Sequence, residues 1–130
     1  MTTRPGIVGV VVAALFWAVA TAVVIPALRT PSYVDGITVD NPHPWDVHVE
    51  ATDGDRAGWV GIGGVARDHE RTATDIVDQG DTWILRFAYG GQVAEARLSR
   101  DQLTQDGWHV TVPDELADRL RAAGIPESPR

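Results

Sequence analysis

Cysteine and lysine are absent from the 130-residue chain, and serine is scarce. Without cysteine there are no disulfide bonds, thiolate metal ligands or thiol nucleophiles, and without lysine there is no Schiff-base or Ser-Lys chemistry. The serines are Ser32 in a predicted linker, Ser99 at a predicted helix cap and Ser128 in a predicted tail. The chain therefore has few side chains that could act as a nucleophile in covalent catalysis. We expect a protein that is not an enzyme.

Charged residues are also absent between Arg4 and Arg29. Within that interval residues 7–28, IVGVVVAALFWAVATAVVIPAL, are apolar almost throughout. As a helix they would extend about 33 Å, which matches a bilayer core of about 30 Å. We therefore predict a transmembrane helix over residues 7–28 that contacts membrane lipid, preceded by a short cytoplasmic tail over residues 1–6.

A cleaved signal peptide is the alternative for this apolar segment. Small residues have the spacing of a cleavage site in residues 18–20, AVA, and in residues 20–22, ATA. Only one arginine precedes the segment, however, and apolar residues continue through Val23, Val24 and Ile25 beyond the cleavage positions. These two observations favour a retained anchor, while cleavage stays open.

Negative charge dominates the rest of the chain. The formal net charge is −7 overall, and the part from Arg29 onward, with ten arginines and all 18 acidic residues, carries −8. A domain so acidic has no basic patch for nucleic acid or anionic headgroups, so we expect no nucleic-acid partner. The short N-terminal tail, with Arg4 and the amino group, favours a single-pass protein of the cell membrane whose C-terminal domain is extracytoplasmic.

Beyond a linker over residues 29–35, apolar and polar residues alternate in short runs separated by turn signals. This period of two is typical of β-strands with one buried face. The predicted strands are GITVDN (36–41), WDVHVEA (45–51), GWVGIGGVA (58–66), RTATDIVD (71–78), TWILRFAYGG (82–91), QVAEARLS (92–99) and GWHVTVP (107–113). Strands this short and numerous favour a mainly β fold, a small antiparallel β-sandwich over residues 36–125 with a tail over residues 126–130.

One or two short helices are predicted near the C-terminus. Ser99 and Gln102 have the spacing of a capping box, which predicts one or two helical turns after Ser99. A second helix lies in DELADRLRAAG (114–124) and pairs Glu115 with Arg119 on its outer face. Its inner face would consist of Leu116, Ala117 and Leu120.

Tryptophan is well represented in the predicted sandwich. Trp45, Trp59, Trp83 and Trp108 each head or enter a predicted strand. We therefore expect most of them to line the core. An aromatic platform that binds a ligand is the functional alternative for these rings.

The stretch DVHVE places Asp46, His48 and Glu50 on one face of a predicted strand. Side chains two residues apart start about 6.5 Å apart, so two of them could bind one metal ion if a neighbouring strand supplied a further ligand. His43 and His109 are the conceivable additional donors. The simpler interpretation is the solvent face of an amphipathic strand. We expect no metal or cofactor, and a metal-binding or small-ligand module on this face is the second hypothesis.

Three other motifs are weaker. DGDRAG (53–58) begins like a calcium loop, but the acidic ligands required later in such a loop are missing. GIGG (61–64) is not followed by an apolar helix, so it is not a dinucleotide fingerprint. RDHERT (67–72) is interpreted as a solvated loop, because adjacent side chains point in different directions.

The layout of TVDNPHPWDVHVEA, DTWILRFAYGG, RLSRDQL and GWHVTVP resembles small, uncharacterised single-pass membrane proteins of actinobacteria. The resemblance covers most of the chain. It implies one N-terminal span, an immunoglobulin-like or fibronectin-like sandwich and a location in the cell envelope, and it supplies no catalytic residues.

From these observations we predict a non-enzymatic domain that binds or stabilises a partner in the cell envelope. The partner is expected to be another envelope protein or a second copy of the chain. An exposed sheet edge, which can accept an added strand, and the terminal helix are the expected contact surfaces.

Overall fold

Seven strands and two helices follow one another in residues 32–130, the part of the chain that the computed structural model describes. They are β1 (Tyr33–Asn41), β2 (Val47–Asp53), β3 (Val60–Val65), β4 (His69–Val77), β5 (Thr82–Tyr89), β6 (Gln92–Ser99), α1 (Arg100–Gln105), β7 (His109–Thr111) and α2 (Asp114–Ala122). The predicted cytoplasmic tail and transmembrane helix, residues 1–6 and 7–28, lie outside the described residues. Within residues 32–130 no helix has the length and apolar character needed to cross a bilayer.

The strands form two sheets. One has three strands in the order β4-β1-β7, and the other has four in the order β3-β2-β5-β6. Every neighbouring pair is antiparallel except β1 and β7, which run parallel. The structure confirms the prediction of a mainly β domain with two antiparallel-rich sheets and two short helices near the C-terminus. The parallel pair has no counterpart among the sequence predictions.

Apolar side chains from both sheets meet in one buried cluster. Ile37 and Val39 of β1 point to the same interior as Val49 of β2 and Phe87 of β5, and all of them are fully buried. Burying a side chain of this size contributes about 1.5–3 kcal/mol. The cluster therefore holds the two sheets face to face, as the alternation in the sequence predicts.

The first strand starts before the predicted boundary of the domain. Residues 33–35, which the sequence predicts as part of the linker, belong to β1. The reason is Val34, which is buried and pairs with Ile76 of β4. This partner lies far along the chain, so the turn signals around it gave no sign of the longer strand. Each other predicted strand overlaps one observed strand.

The hairpin of β5 and β6 forms as predicted. Gly90 and Gly91 occupy its turn with φ angles of 55° and 80°, which are typical of a tight type I′ turn. A Cβ at Gly90 would lie 3.0 Å from Cγ2 of Ile125, whereas a Cβ at Gly91 would meet no atom within 4 Å. The turn thus packs closely on the chain that follows α2.

The helix termini are capped as the sequence predicts. Ser99 Oγ accepts a hydrogen bond from Gln102 N at 3.1 Å, and Ser99 N donates to Gln102 Oε1 at 2.8 Å, which is a capping box. After α2, Gly124 has a φ of 69° and Ile125 N donates to Leu120 O at 3.0 Å, as in a Schellman motif. The predicted inner face of α2 is buried.

Three of the four tryptophans lie in or against the core. Trp45 and Trp83 are 2% and 0% exposed, and Trp108 packs edge-on to Trp83 with 5.4 Å between ring centroids. Trp59 precedes β3 and lies on the outer face of the four-stranded sheet, where the Arg86 guanidinium is 3.9 Å from its ring centroid. A core position for most of the tryptophans is therefore confirmed, with Trp59 as the exception.

The segment predicted as a C-terminal tail is fixed to the domain. Ser128 is 2% exposed. Its N–H donates to Pro44 O at 3.0 Å, its Oγ accepts from Asp46 N at 2.8 Å, and its carbonyl accepts from Arg67 Nη1 at 2.6 Å. The polar, proline-rich sequence of this segment resembles a free tail, and the bonds that hold it come from residues distant in the chain.

We expect Gly90→Ala to lower the free energy of unfolding by about 1 kcal/mol more than Gly91→Ala. Both variants place an alanine at positive φ, which costs on the order of 1–3 kcal/mol, but only Gly90→Ala pushes a methyl group against Ile125. Urea denaturation of the two variants measures the difference. Equal losses would show that the contact between the turn and Ile125 contributes nothing.

Ser128→Ala should destabilise the domain by about 1 kcal/mol, because the N–H of Asp46 loses its acceptor. The neighbouring variant Glu127→Ala is the control and should change stability by less than about 0.5 kcal/mol, since its carboxylate is exposed and its 3.7 Å ion pair with Arg67 is screened by solvent. Thermal melts followed by tryptophan fluorescence compare them. A Ser128→Ala variant as stable as the control contradicts the described role of the segment.

Candidate functional site

The predicted face of Asp46, His48 and Glu50 is not one cluster in the structure. Asp46 precedes β2, and its Oδ1 accepts from Arg67 N at 2.9 Å. His48 and Glu50 do share the outer face of β2, with 3.7 Å between His48 Nε2 and Glu50 Oε1. Glu50 Oε2, however, accepts from Arg86 Nη2 at 3.1 Å. The carboxylate is thus bound by an arginine.

The two additional donors considered for a metal lie away from that face. His43 is buried, with its Nε2 3.0 Å from Val112 O and 3.4 Å from Asp114 Oδ1. His109 belongs to β7 in the other sheet. Across residues 32–130, no group of three His, Asp or Glu side chains is arranged to hold a metal ion.

Arginines and carboxylates alternate across the outer face of the four-stranded sheet. The strand register aligns Glu50, Arg86 and Glu95 in one row, and Arg56 donates to both Glu95 oxygens at 2.7 and 2.9 Å. The hydrogen bond from Arg56 lowers the pKa of Glu95 below its ordinary value, against a smaller opposing effect of burial. With Trp59 stacked on Arg86, the charges of this row neutralise one another. Such a network is typical of a solvated sheet face.

A second ion pair joins the end of β4 to α1. Burial raises the pKa of Asp78, but hydrogen bonds from the Arg100 guanidinium and from Gly80 N outweigh it and leave the pKa below its ordinary value. The Arg100 guanidinium also lies 5.6 Å from the ring centroid of Trp108. The pair therefore helps to position the residues that lead into β7.

A cavity of about 340 Å³ lies where the C-terminal segment meets the turn between β3 and β4. Its lining residues are Asp46, Ala66, Arg67, Asp68, His69, Pro129 and Arg130. The RDHERT motif, predicted as a solvated loop, is a loop only at Arg67 and Asp68, because β4 begins at His69. Its first three residues line the cavity and bond within the domain. Arg67 donates to Asp68 Oδ2 at 3.1 Å and to Ser128 O at 2.6 Å, and His69 Nδ1 is 2.6 Å from Arg67 O. The cavity is the seam between this turn and the C-terminal segment.

A different cavity, of about 250 Å³, opens between the edges of the two sheets, and we name it the edge cleft. Its lining residues are Leu85, Phe87, Ala96, Leu98, Asp106, His109, Val110 and Thr111. Apolar side chains of β5 and β6 form one wall and β7 forms the other. Asp106, which caps α1, adds a carboxylate. The edge cleft therefore combines an apolar wall with an acidic group.

The backbone of β7 is unpaired on the side that faces away from β1. Thr38 N of β1 donates to Trp108 O, and Val112 N donates to Asp40 O of β1, at 2.9 Å each. In a parallel ladder alternate residues bond to the same neighbour, so the N–H and C=O groups of His109 and Thr111 point away from β1. Within residues 32–130 no other strand pairs with this edge. Four backbone hydrogen-bonding groups thus border the edge cleft.

The edge cleft exists because the sheets have unequal numbers of strands. β3 and β4 contact each other at one side of the sandwich, so the unmatched strand is β6, which lies beyond β7 at the other side. Both helices contact β6. Even so, Ala96 and Leu98 on its inner face are only partly buried. A position for a fourth strand beside β7 is therefore open in the described part of the chain.

The sequence predicts an exposed edge as a contact surface, but it does not indicate which edge. β7 has three residues and pairs with a strand about seventy positions earlier in the chain, so it has no local signal. The nearest signal is the glycine after α1. Gly107 and Trp108 have φ angles of 66° and 58°, the second rare for a bulky residue, and this turn directs the chain into β7.

Comparison of the chain with protein-family models, curated proteins and solved structures finds no match. The function of the domain is therefore inferred from its geometry.

Acid is expected to destabilise the domain through Asp78 and Glu95. Because their folded-state pKa values are lowered, their ionised forms stabilise the fold, and this contribution is present above the unfolded pKa of about 4 and lost as the pH falls below it. Asp78→Asn should remove about 0.5–1 kcal/mol at neutral pH and flatten the decline between about pH 5 and pH 3. Melting temperatures across this range measure the effect.

The control for this experiment is Asp35→Asn, because Asp35 is exposed on β1. It should keep the pH dependence of the unmodified protein. An Asp78→Asn protein with the same acid decline as the control contradicts the assigned role of the pair with Arg100.

Proposed function

We propose that this protein is a membrane-anchored, extracytoplasmic domain of the cell envelope that binds and steadies another envelope protein without catalysing a reaction. The edge cleft beside the unpaired backbone of β7 is the observation that carries the proposal. A sheet edge with free N–H and C=O groups can pair with an extended segment of another chain. The apolar wall of the edge cleft would bury side chains of that segment.

The size and lining of the edge cleft support a polypeptide over a small molecule. Its volume of about 250 Å³ is below the range of about 300–1,000 Å³ usual for small-molecule pockets. Ala96 and Leu98 present the uncovered apolar surface of its wall, since Leu85 and Phe87 behind them are already buried, and the backbone of β7 supplies directional hydrogen bonds. This combination suits the alternating side chains of an added strand.

The strand order supports an immunoglobulin-like classification of the domain. In such sandwiches strands C′, C, F and G share one sheet, and B pairs with E in the other. The orders β3-β2-β5-β6 and β4-β1 follow this scheme. β7 takes the place beside β1 that strand A has in that fold, although it runs parallel to β1. Sandwiches of this type are frequent in cell-surface proteins, which agrees with an extracytoplasmic position.

A retained anchor would make a small contact surface sufficient. Confinement to the membrane raises the effective concentration of the domain towards a membrane-bound partner, so that a weak contact can be occupied. A three-residue edge such as β7 offers only a few hydrogen bonds. Its use as a binding surface therefore fits a tethered protein better than a freely diffusing one.

The proposal predicts a cross-link from β7 to another protein in intact cells. A photo-reactive amino acid at Thr111 should cross-link to an envelope protein, because that position borders the edge cleft. The matched control is the same substitution at Thr74, which is exposed on β4 at the opposite edge of the same sheet. Mass spectrometry identifies the product, and the control should give none.

A reporter fused to the C-terminus should also be active only outside the cytoplasm. A cytoplasmic reporter, or equal cross-linking from the two positions, contradicts the proposal.

A further inference from the structure

We infer that the edge cleft binds an extended segment in which apolar residues alternate with arginine or lysine, and that this segment pairs with β7 as a fourth strand of the three-stranded sheet. The inference rests on the proposed function and specifies the chemistry of the partner. It follows from the unpaired backbone, the apolar wall and the distribution of charge around the edge cleft.

The unpaired backbone sets the conformation of the segment. His109 and Thr111 each present one N–H and one C=O outward, with Val110 between them bonded to β1. An extended chain beside β7 can pair with these groups at the usual strand spacing of about 4.8 Å. A helix cannot do so, because its own backbone groups are already bonded.

The apolar wall sets one face of the segment. A strand beside β7 would lie across from β6, where Ala96 and Leu98 are only partly buried. Successive side chains of a strand point to opposite faces, so every second residue would enter the edge cleft. Apolar residues at these positions would bury both themselves and the uncovered part of β6.

Charge favours arginine or lysine at the positions between the apolar residues, because the outer face of the three-stranded sheet is acidic. Asp40 and Glu70 on that face have no ion pair with any arginine of residues 32–130, and neither has Asp106, which lines the edge cleft on the side of the apolar wall. Residues 32–130 contain nine arginines and 18 acidic residues, a formal charge of −9. A basic segment is attracted to this surface, whereas a second copy of the domain is repelled by it.

Selection from a display library of short random peptides, with the full chain in detergent as the target, tests the inference. The enriched peptides should alternate valine, isoleucine or leucine with arginine or lysine. Thr111→Pro should weaken a selected peptide at least about tenfold, because it removes one N–H of the edge, while proline is tolerated at an edge position that faces outward. The matched control Thr111→Ala keeps that N–H and should change the affinity by less than about twofold.

A separate variant tests whether negative charge at the edge cleft attracts the basic segment. Asp106→Asn should weaken the same peptide by about three- to tenfold at low salt, and the difference should shrink as salt screens the charges. Ala96→Phe, which fills the edge cleft from β6 and leaves the N–H and C=O groups of β7 chemically unchanged, should abolish binding. It decides the question if Thr111→Pro does not fold.

Several results would overturn the inference. These are the absence of enriched peptides, enrichment of acidic or purely apolar peptides, and binding that survives both Thr111→Pro and Ala96→Phe. A cross-link from Thr111 to residues 1–31 or to a second copy would also refute it. The proposed function has a separate outcome: if Thr111 cross-links to another envelope protein through a segment without basic residues, the chemistry inferred here is wrong while the interaction role stands.

Discussion

The parallel pairing of β7 with β1 is the contact on which the rest of the structure depends. The chain leaves β6 at the edge of one sheet, passes through α1 and enters the other sheet beside β1. This crossing closes the sandwich and carries α2 to its place under the β5–β6 hairpin, where Ile125 contacts Gly90. Because β7 is the last strand, the same crossing leaves its outer side unpaired within the described residues. The chain crossing that closes the sandwich thus also leaves the outer side of β7 unpaired in residues 32–130.

Most arginines of the domain form hydrogen bonds to other groups of the same domain. Seven of the nine arginines in residues 32–130 donate to carboxylates or carbonyls of the domain itself, and these are Arg56, Arg67, Arg71, Arg86, Arg100, Arg119 and Arg121. Without lysine there is no other cation to balance the exposed carboxylates. The acidic residues left over determine the field that an approaching molecule meets. The arginines that stabilise the domain by binding its own groups therefore also determine which carboxylates stay unneutralised at its surface.

The sequence predicts local features well and long-range ones poorly. The β5–β6 hairpin, the capping box at Ser99 and the inner face of α2 follow from residues close together, and the structure confirms them. The position of Trp59, the docking of Ser128 and the edge beside β7 depend on partners many positions away. Alternation identified the strand that holds His48 and Glu50. It could not show that Arg86 already binds the carboxylate.

The docked C-terminal segment also determines how the domain would bear mechanical load. β1 has nine residues and is about 30 Å long, and the segment around Ser128 is bonded to Pro44 and Asp46, just past its far end. A force that separates Tyr33 from Ser128 therefore acts along β1. The force passes along the covalent backbone of β1 and then through the hydrogen bonds of Ser128 to Pro44 and Asp46, so these few bonds carry the load before the ladders of β1 with β4 and β7 do.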